Sequence, residues 1–341
     1  MQKHPEPVFT ADQFPFNHDK HRACVFNAGV AKKEGEYWMV FRNDYNFIEG
    51  TAAFEGSNLG LARSADGLNW VADPEPILTT AMVREQWAHR FPARLMPQEI
   101  RRVYDPRITL FDDRGIVLCL ALDTAHGVCG VVASTRDFKT YECLSISTPD
   151  NRNMVMFPEK IKGRYLRLER PFPIYGRGKP EAFEIWSSSS ADLRDWGDTR
   201  LVLGSEEVPY SNCKIGPAAP PVLTEKGWLC TLHAVEKVED PLPAWHEGWH
   251  KVYHGGLMLL DLEDPTRVIG LARQPLIRPE LPHETHGFRG SVIFPCGMVL
   301  EENRDVKIYY GSADTCVGLV TAHLDELLDT IEPIPCSGNG Q

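Results

Sequence analysis

Cysteine pairs at CxxC spacing are missing: the nine cysteines, at positions 24, 119, 129, 143, 213, 230, 296, 316 and 336, are scattered and odd in number. That spacing argues against a zinc ribbon and a thioredoxin-like redox motif. Cys119 and Cys230 stand inside apolar runs, where a free thiol behaves as a small core residue. A reducing compartment, the cytoplasm, is expected. No run approaches the ~20 apolar residues of a membrane helix, and the opening MQKHPEPVFTADQFPF lacks the apolar centre of a signal peptide. Positive charge is also short, with Lys+Arg 36 against Asp+Glu 47 and a formal net charge of -11. No broad basic face is therefore available for nucleic acid or an anionic membrane. A small anionic ligand would need a local basic pocket.

Helix-forming stretches with caps are scarce too; the clearest covers residues 80–91, with a short turn near the C-terminus. What the chain has instead is β-rich runs opened by a turn: 35–42 (GEYWMVFR), 115–123 (GIVLCLALD), 163–170 (GRYLRLER), 227–233 (GWLCTLH) and 305–314 (DVKIYYGSAD). A Ser/Asp/aromatic turn recurs after most of them, at 63–70, 134–138 and 189–196, with degenerate copies at 260–265 and 322–328. Five copies of a four-stranded unit predict an all-β fold, a five-bladed β-propeller, with a pair of β-sandwiches as the rival. One domain over 1–341 is expected, with a short N-terminal extension over about 1–20. In a propeller the runs ending in Arg42, Asp123, Arg170, His233 and Asp314 bring polar ends to one axial funnel.

Several residues invite a chemical reading. Arg152 follows a turn-prone Pro-Asp-Asn, and Arg170 precedes Pro171, which biases it to an extended conformation at a strand end. Guanidinium groups placed so suit two-point binding of phosphate or carboxylate, and equally suit surface ion pairs. Asp105, before Pro106 and beside Tyr104 and Arg107, reads as a general acid or as a turn-capping Asp. Lys214 lies in a Pro- and Gly-rich stretch as a phosphate-binding point charge or an ordinary solvated lysine. Residues 246–250 (HEGWH) match HExxH, but Pro241, Pro243 and Gly248 oppose the helix such a zinc site needs. Trp245 and Trp249 suit stacking on a sugar ring.

Taken together, FNAG (26–29), LARSADGLNW (61–70), YDPRIT (104–109), DNRN (150–153) with FPEKI (157–161), LERPFP (168–173), KIGPAAPP (214–221), TEKGWL (224–229) with HAV (233–235), LMLLDLEDP (257–265) and IYYGSAD (308–314) resemble glycoside hydrolase family 130. These are the inverting β-mannoside phosphorylases and related mannosidases. The agreement runs over about residues 24–328, and DNRN, LERPFP and GWL match the branch acting on 4-O-β-D-mannosyl-D-glucose. The resemblance implies a five-bladed propeller with Asp105 as catalytic acid, its proton reaching the glycosidic oxygen through the 3-hydroxyl of the bound mannose. It places Arg152, Arg170 and Lys214 in a phosphate-binding cluster, His233 near phosphate or mannose, and Arg63, Asn43 or Asp44, and Asp314 in the mannose subsite. A β-mannoside disaccharide and inorganic phosphate are the implied substrates, with no cofactor and no metal; a homo-oligomer stays open. Residues 240–254 depart from the family pattern and leave the acceptor sugar open. A β-mannosidase, with a base from Glu280 or Glu284, a phosphorylase for mannosyl-N-acetylglucosamine or β-mannan oligosaccharides, and a non-catalytic sugar-binding propeller are the alternatives.

Overall fold

Glycines in the left-handed region open four of the repeated runs: Gly35, Gly115, Gly163 and Gly227 have φ of 85°, 74°, 78° and 146°. Glycine adopts such angles without steric cost, so each reversal feeds one strand directly into its antiparallel neighbour. The computed structural model describes residues 1–90, 100–173 and 183–334. Its strands form five separate antiparallel sheets, four of four strands and one of six. The inner strands, Cys24–Lys33, Ile100–Phe111, Asn151–Met156, Lys214–Pro217 and Ile293–Leu300, line the axis of a five-bladed β-propeller.

The repeated runs are not the innermost strands, as expected from sequence, but the second in each blade: Glu36–Ile48, Gly115–Thr124, Tyr165–Pro171, Gly227–Lys237 and Asp305–Ser312. Apolar side chains between neighbouring blades form the core. Leu59, Leu61, Trp87 and Leu118 fill the space between blades one and two, and Phe157, Leu168, Trp228 and Met258 that between three and four. The recurring Ser/Asp motif is a structural turn. Asp66 Oδ1 accepts from the amides of Leu68 and Asn69 at 2.8 Å, and Asp192 Oδ1 from Arg194 and Asp195 at 2.8 and 3.1 Å. These are side-chain substitutes for a backbone turn, leading from the third strand to the outer one. The expected helix forms over Thr80–Trp87, continues as a 3-10 turn over Ala88–Arg90, and seats Trp87 under blade two; Phe91 lies outside the described residues.

The first residues, set apart in sequence as an extension, complete the ring. Gln2–Lys3 pairs with Cys316–His323 as the outer strand of blade five, and Ile331–Pro333 adds to the edge of blade four. Lys3 Nζ donates to Glu284 Oε2 at 3.0 Å; that fully buried carboxylate also accepts from Tyr310 Oη at 2.6 Å and from the amides of Glu280 and Leu281 at 2.7 and 2.9 Å. Burial pushes the Glu284 carboxyl up, but these donors outweigh it and hold it below the ordinary range. Its stabilising contribution is therefore present above the unfolded value of about 4.3 and lost as pH falls through the lower folded one. Glu284→Gln is expected to cost roughly 3 kcal/mol, as breaking one side of a buried pair does. Thermal unfolding checks this, and an unchanged Tm would remove Glu284 from ring closure.

Candidate active site

Pro106 excludes the residue before it from the right-handed helical region. Asp105 goes further, to φ 53°, at a register break between Tyr104 and Arg107 in the inner strand of blade two. That conformation costs about 1–3 kcal/mol in a non-glycine residue and is typical of functional sites. It brings the carboxylate to blade one, where Oδ1 accepts from Asn27 Nδ2 at 2.9 Å and Arg42 Nη1 at 3.1 Å. Arg42 also grips Asp44 at two points, 2.9 and 2.5 Å, and its guanidinium lies 4.5 and 4.9 Å from the rings of Phe26 and Tyr104. Arg107 braces the turn from below, donating to the Asp105 carbonyl at 2.8 Å and to the Ala218 carbonyl of blade four at 2.9 Å. Burial pushes the Asp105 carboxyl up, but Arg42, Arg107 and Asn27 pull harder and hold it below the ordinary carboxylate range. Asp314 is displaced the other way, upward: burial dominates, Arg289 and Arg42 offset it only in part, and Asp105 adds a smaller like-charge push.

The cations gather on blades three and four. Arg152 and Arg170 face each other across paired strands. Arg152 Nη1 donates to Tyr104 Oη at 3.3 Å, joining this group to the Asp105 side. Arg170, only 1% exposed, meets His233 Nε2 through Nη1 at 3.1 Å, and His233 is 0% exposed with Asn153 Nδ2 at 3.4 Å. Gly216 makes room for this contact, because a Cβ there would stand 2.4 Å from His233 Cε1. Lys214 starts the inner strand of blade four, its ammonium 5.1 Å from the ring of Tyr253 and 5.9 Å from that of Phe183. Tyr253 in turn lies nearly parallel to His233, with 16° between planes and 6.2 Å between centroids.

The electrostatics of this group are unbalanced. Burial, then the Arg152 charge, pushes Arg170 down to about 9. Burial, then Arg170 and Arg152, pushes Lys214 well below an ordinary lysine. Burial, then Arg170 and Lys214, keeps His233 a neutral imidazole that accepts from Arg170. A guanidinium does not surrender its proton near neutral pH, so the downward direction reflects like charges crowded in a buried place, which a counter-anion would ease. Arg170 Nε and Nη2, Arg152 Nε and Arg107 Nη2 are buried and find no hydrogen-bond partner among the described residues. Buried charge left unpaired is costly, and an anion carrying several oxygens would relieve it.

Residues 2–333 match the model of glycoside hydrolase family 130, described as beta-1,4-mannooligosaccharide phosphorylase. The chain belongs to this family. A beta-1,2-mannobiose phosphorylase of Listeria innocua is 30% identical over 323 residues, covering 91% of this chain and 82% of the relative. A 4-O-beta-D-mannosyl-D-glucose phosphorylase of Bacteroides fragilis is 26% identical over 333 residues, covering 92% and 77%. Among solved structures, beta-1,2-mannobiose phosphorylase from Listeria innocua in complex with beta-1,2-mannobiose has a TM-score of 0.76 at 24% identity, over 96% of this chain and 98% of that one.

Against this family 130 frame, the residues expected at the site divide clearly. Asp105 and Asp44 meet on the Arg42 guanidinium, while Asn43, next to Asp44 in the same strand, has its own partners, Asn17 at 2.8 Å and Asn58 at 3.1 Å. Arg152, Arg170, Lys214 and His233 form the cationic group, and Asp314 joins through its electrostatic coupling to Asp105 and Arg42. Arg63 does not belong. It pairs in register with Trp38, five residues down the strand from Asn58, and its half-exposed guanidinium bonds Asp73 at 2.5 Å on the outside of blade one. Strand alternation and length carry it away, which a sequence motif cannot report. Asp123 also turns aside, to Arg102 at 2.7 Å. Residues 246–250 run as loop rather than helix, so the HExxH histidines are not placed on one helical face. Among the described residues no helix is long and apolar enough to cross a membrane. Four contributors escaped the sequence reading: Arg42, noted only as a strand end; Asn27, inside FNAG; and Tyr253 and Arg289, which carry no local signal.

Proposed function

We propose that this chain is an inverting phosphorylase of β-mannosides, with β-1,4-mannosyl-glucose as substrate and α-mannose 1-phosphate and glucose as products. The observation that carries the reading is Arg170: a buried guanidinium whose partner is a neutral imidazole, with Arg152 and Lys214 beside it and its Nε and Nη2 unsatisfied among the described residues. An inverting hydrolase needs a second carboxylate to activate water. Hydrogen phosphate is already an anion and needs only to be held in line with the leaving group. In this reading Arg152, Arg170 and Lys214, with His233, hold the phosphate, while Asn43, Asp44 and Asp314 bind mannose hydroxyls. One phosphate oxygen bonds to the anomeric carbon as the glycosidic C–O bond breaks, and Asp105 supplies the proton taken up by the leaving oxygen. The proton of the attacking hydrogen phosphate restores the carboxyl. No cofactor is required, phosphate being a substrate. Asp105 must regain its proton when substrate arrives; a phosphate dianion beside Arg152 and a sugar displacing water both push its carboxyl upward.

Glu280 and Glu284 do not support the hydrolytic alternative, since Glu284 is saturated by four donors and Glu280 is an exposed partner of Lys3. The choice of β-1,4-mannosyl-glucose rests on the DNRN, LERPFP and GWL motifs. The 30% identity to a beta-1,2-mannobiose phosphorylase favours β-1,2-mannobiose as the second reading. Initial rates on β-1,4-mannosyl-glucose, β-1,4-mannobiose, β-1,2-mannobiose and mannosyl-N-acetylglucosamine, each with phosphate, decide between them. The highest kcat/KM is expected for mannosyl-glucose, and a tenfold preference for another disaccharide replaces it.

A further inference from the structure

The two tryptophans of the loop over residues 238–250 have different fates. Trp249 is 9% exposed, donates from Nε1 to the Gly290 carbonyl at 2.7 Å, and is sandwiched between Tyr253 at 6.0 Å and the Arg289 guanidinium at 5.3 Å. No face of it is left for a ligand. Trp245 is 36% exposed and is the one aromatic among the exposed large apolar side chains of the described residues.

Its position is fixed from three sides. The loop leaves the second strand of blade four and is pinned to the entry of blade five by the Gly290 amide on the Pro243 carbonyl at 2.8 Å and the Trp245 amide on the Phe288 carbonyl at 3.2 Å. From there Trp245 reaches blade one, its ring 5.3 Å from Phe47, 6.5 Å from Phe54 and 6.0 Å from Phe288. Phe47 and Phe54 pair in the hairpin that continues past Asn43 and Asn58, so the cluster stands above the mannose-subsite residues, farther from the propeller body. Phe288 is followed by Arg289, whose guanidinium lies 4.8 Å from the Phe288 ring and donates to Asp314 at 3.2 Å, with Nε buried and unpartnered among the described residues. The path Trp245–Phe288–Arg289–Asp314 thus runs unbroken from the rim to the site.

A pyranose presents a C–H face that packs on an aromatic ring and a rim of hydroxyls that accept from a guanidinium. A rigidly held indole with one open side, adjoining a donor that continues into the site, fits that pair of demands. We propose that Trp245 is the platform on which the acceptor-side sugar of the β-mannoside stacks, and that the loop over residues 238–250 thereby sets acceptor preference. This rests on the phosphorylase reading above for which sugar leaves, but its test is separable.

KM for β-1,4-mannosyl-glucose and for phosphate is to be measured in the wild type and in Trp245→Ala, Trp245→Leu and Trp245→Phe. The sugar KM is expected to rise about tenfold in the Ala and Leu variants and to stay within threefold of wild type in the Phe variant, with phosphate KM unmoved within twofold. Leu fills the space against Phe47 and Phe54 without a π face, so recovery by Leu would assign Trp245 to packing and overturn the proposal. So would a sugar KM within twofold of wild type in the Ala variant, or sugar and phosphate KM rising together. If the wild type cleaved the sugar without phosphate, the phosphorylase reading would fall while the sugar KM series would still decide on Trp245.

Discussion

Asp105→Asn is expected to lower kcat for β-mannoside phosphorolysis by about three orders of magnitude or more, the upper range for loss of a general acid, while leaving the Tm close to wild type. The fold should tolerate the change for local reasons. Asn is among the residues that accept a left-handed backbone such as the φ of 53° at this position. Its amide oxygen can still accept from Asn27 and Arg42, and Arg42 keeps its two-point partner Asp44. What disappears is the transferable proton. A substrate with a leaving group that needs no proton, such as a β-mannosyl fluoride, should therefore recover most of the lost rate. Asp314→Asn is the decisive companion, because burial raises that carboxyl and makes it the other candidate donor. It should weaken sugar binding and retain turnover, and a collapse of kcat there with Asp105→Asn still active would reverse the two roles.

Arg170→Met and Lys214→Met are expected to raise phosphate KM at least about a hundredfold with little change in sugar KM, since each removes a charge-assisted contact to the anion. Two further signatures separate this from general damage. Phosphate should raise the Tm of the wild type by mass action and fail to do so in either variant. Without phosphate, Arg170→Met should be as stable as wild type or more so, because an apolar side chain replaces a buried charge whose hydrogen-bonding groups are only partly satisfied. The pH dependence has a definite sign. Lys214 loses its proton well below an ordinary lysine, so phosphate KM should climb with rising pH before the usual value of about 10.4 is approached. A flat phosphate KM up to that pH, or unchanged phosphate dependence in both variants, removes these residues from the anion site.

Turn chemistry explains why so much of the fold could be read directly. Gly35, Gly115, Gly163 and Gly227 sit where the chain must reverse with positive φ, and Asp66, Asp137 and Asp192 cap the next turn in blades one to three, so the repeat is written in residues that few others can replace. Which strand of each blade faces the axis was not legible, because the second strands are as apolar as inner ones and burial from both sides looks alike in sequence. The site shows the same division. Asp105, Arg152, Arg170 and Lys214 stand in local contexts of Pro, Gly and turn residues that announce irregular backbone. Arg42, Tyr253 and Arg289 lie in ordinary strand or loop sequence and acquire meaning only when blades one, four and five meet. Arg63 belongs to a motif whose geometry is that of the Ser64–Asp66 turn, and its guanidinium bonds Asp73 outside the funnel.

The most direct measurement is the rate of cleavage of β-1,4-mannosyl-glucose as phosphate is varied from none to saturation, with products followed by phosphorus and proton NMR. Cleavage that rises from near zero with phosphate, and yields one equivalent of α-mannose 1-phosphate per glucose released, is the predicted result. Release of free mannose at the same rate in phosphate-free buffer would contradict it.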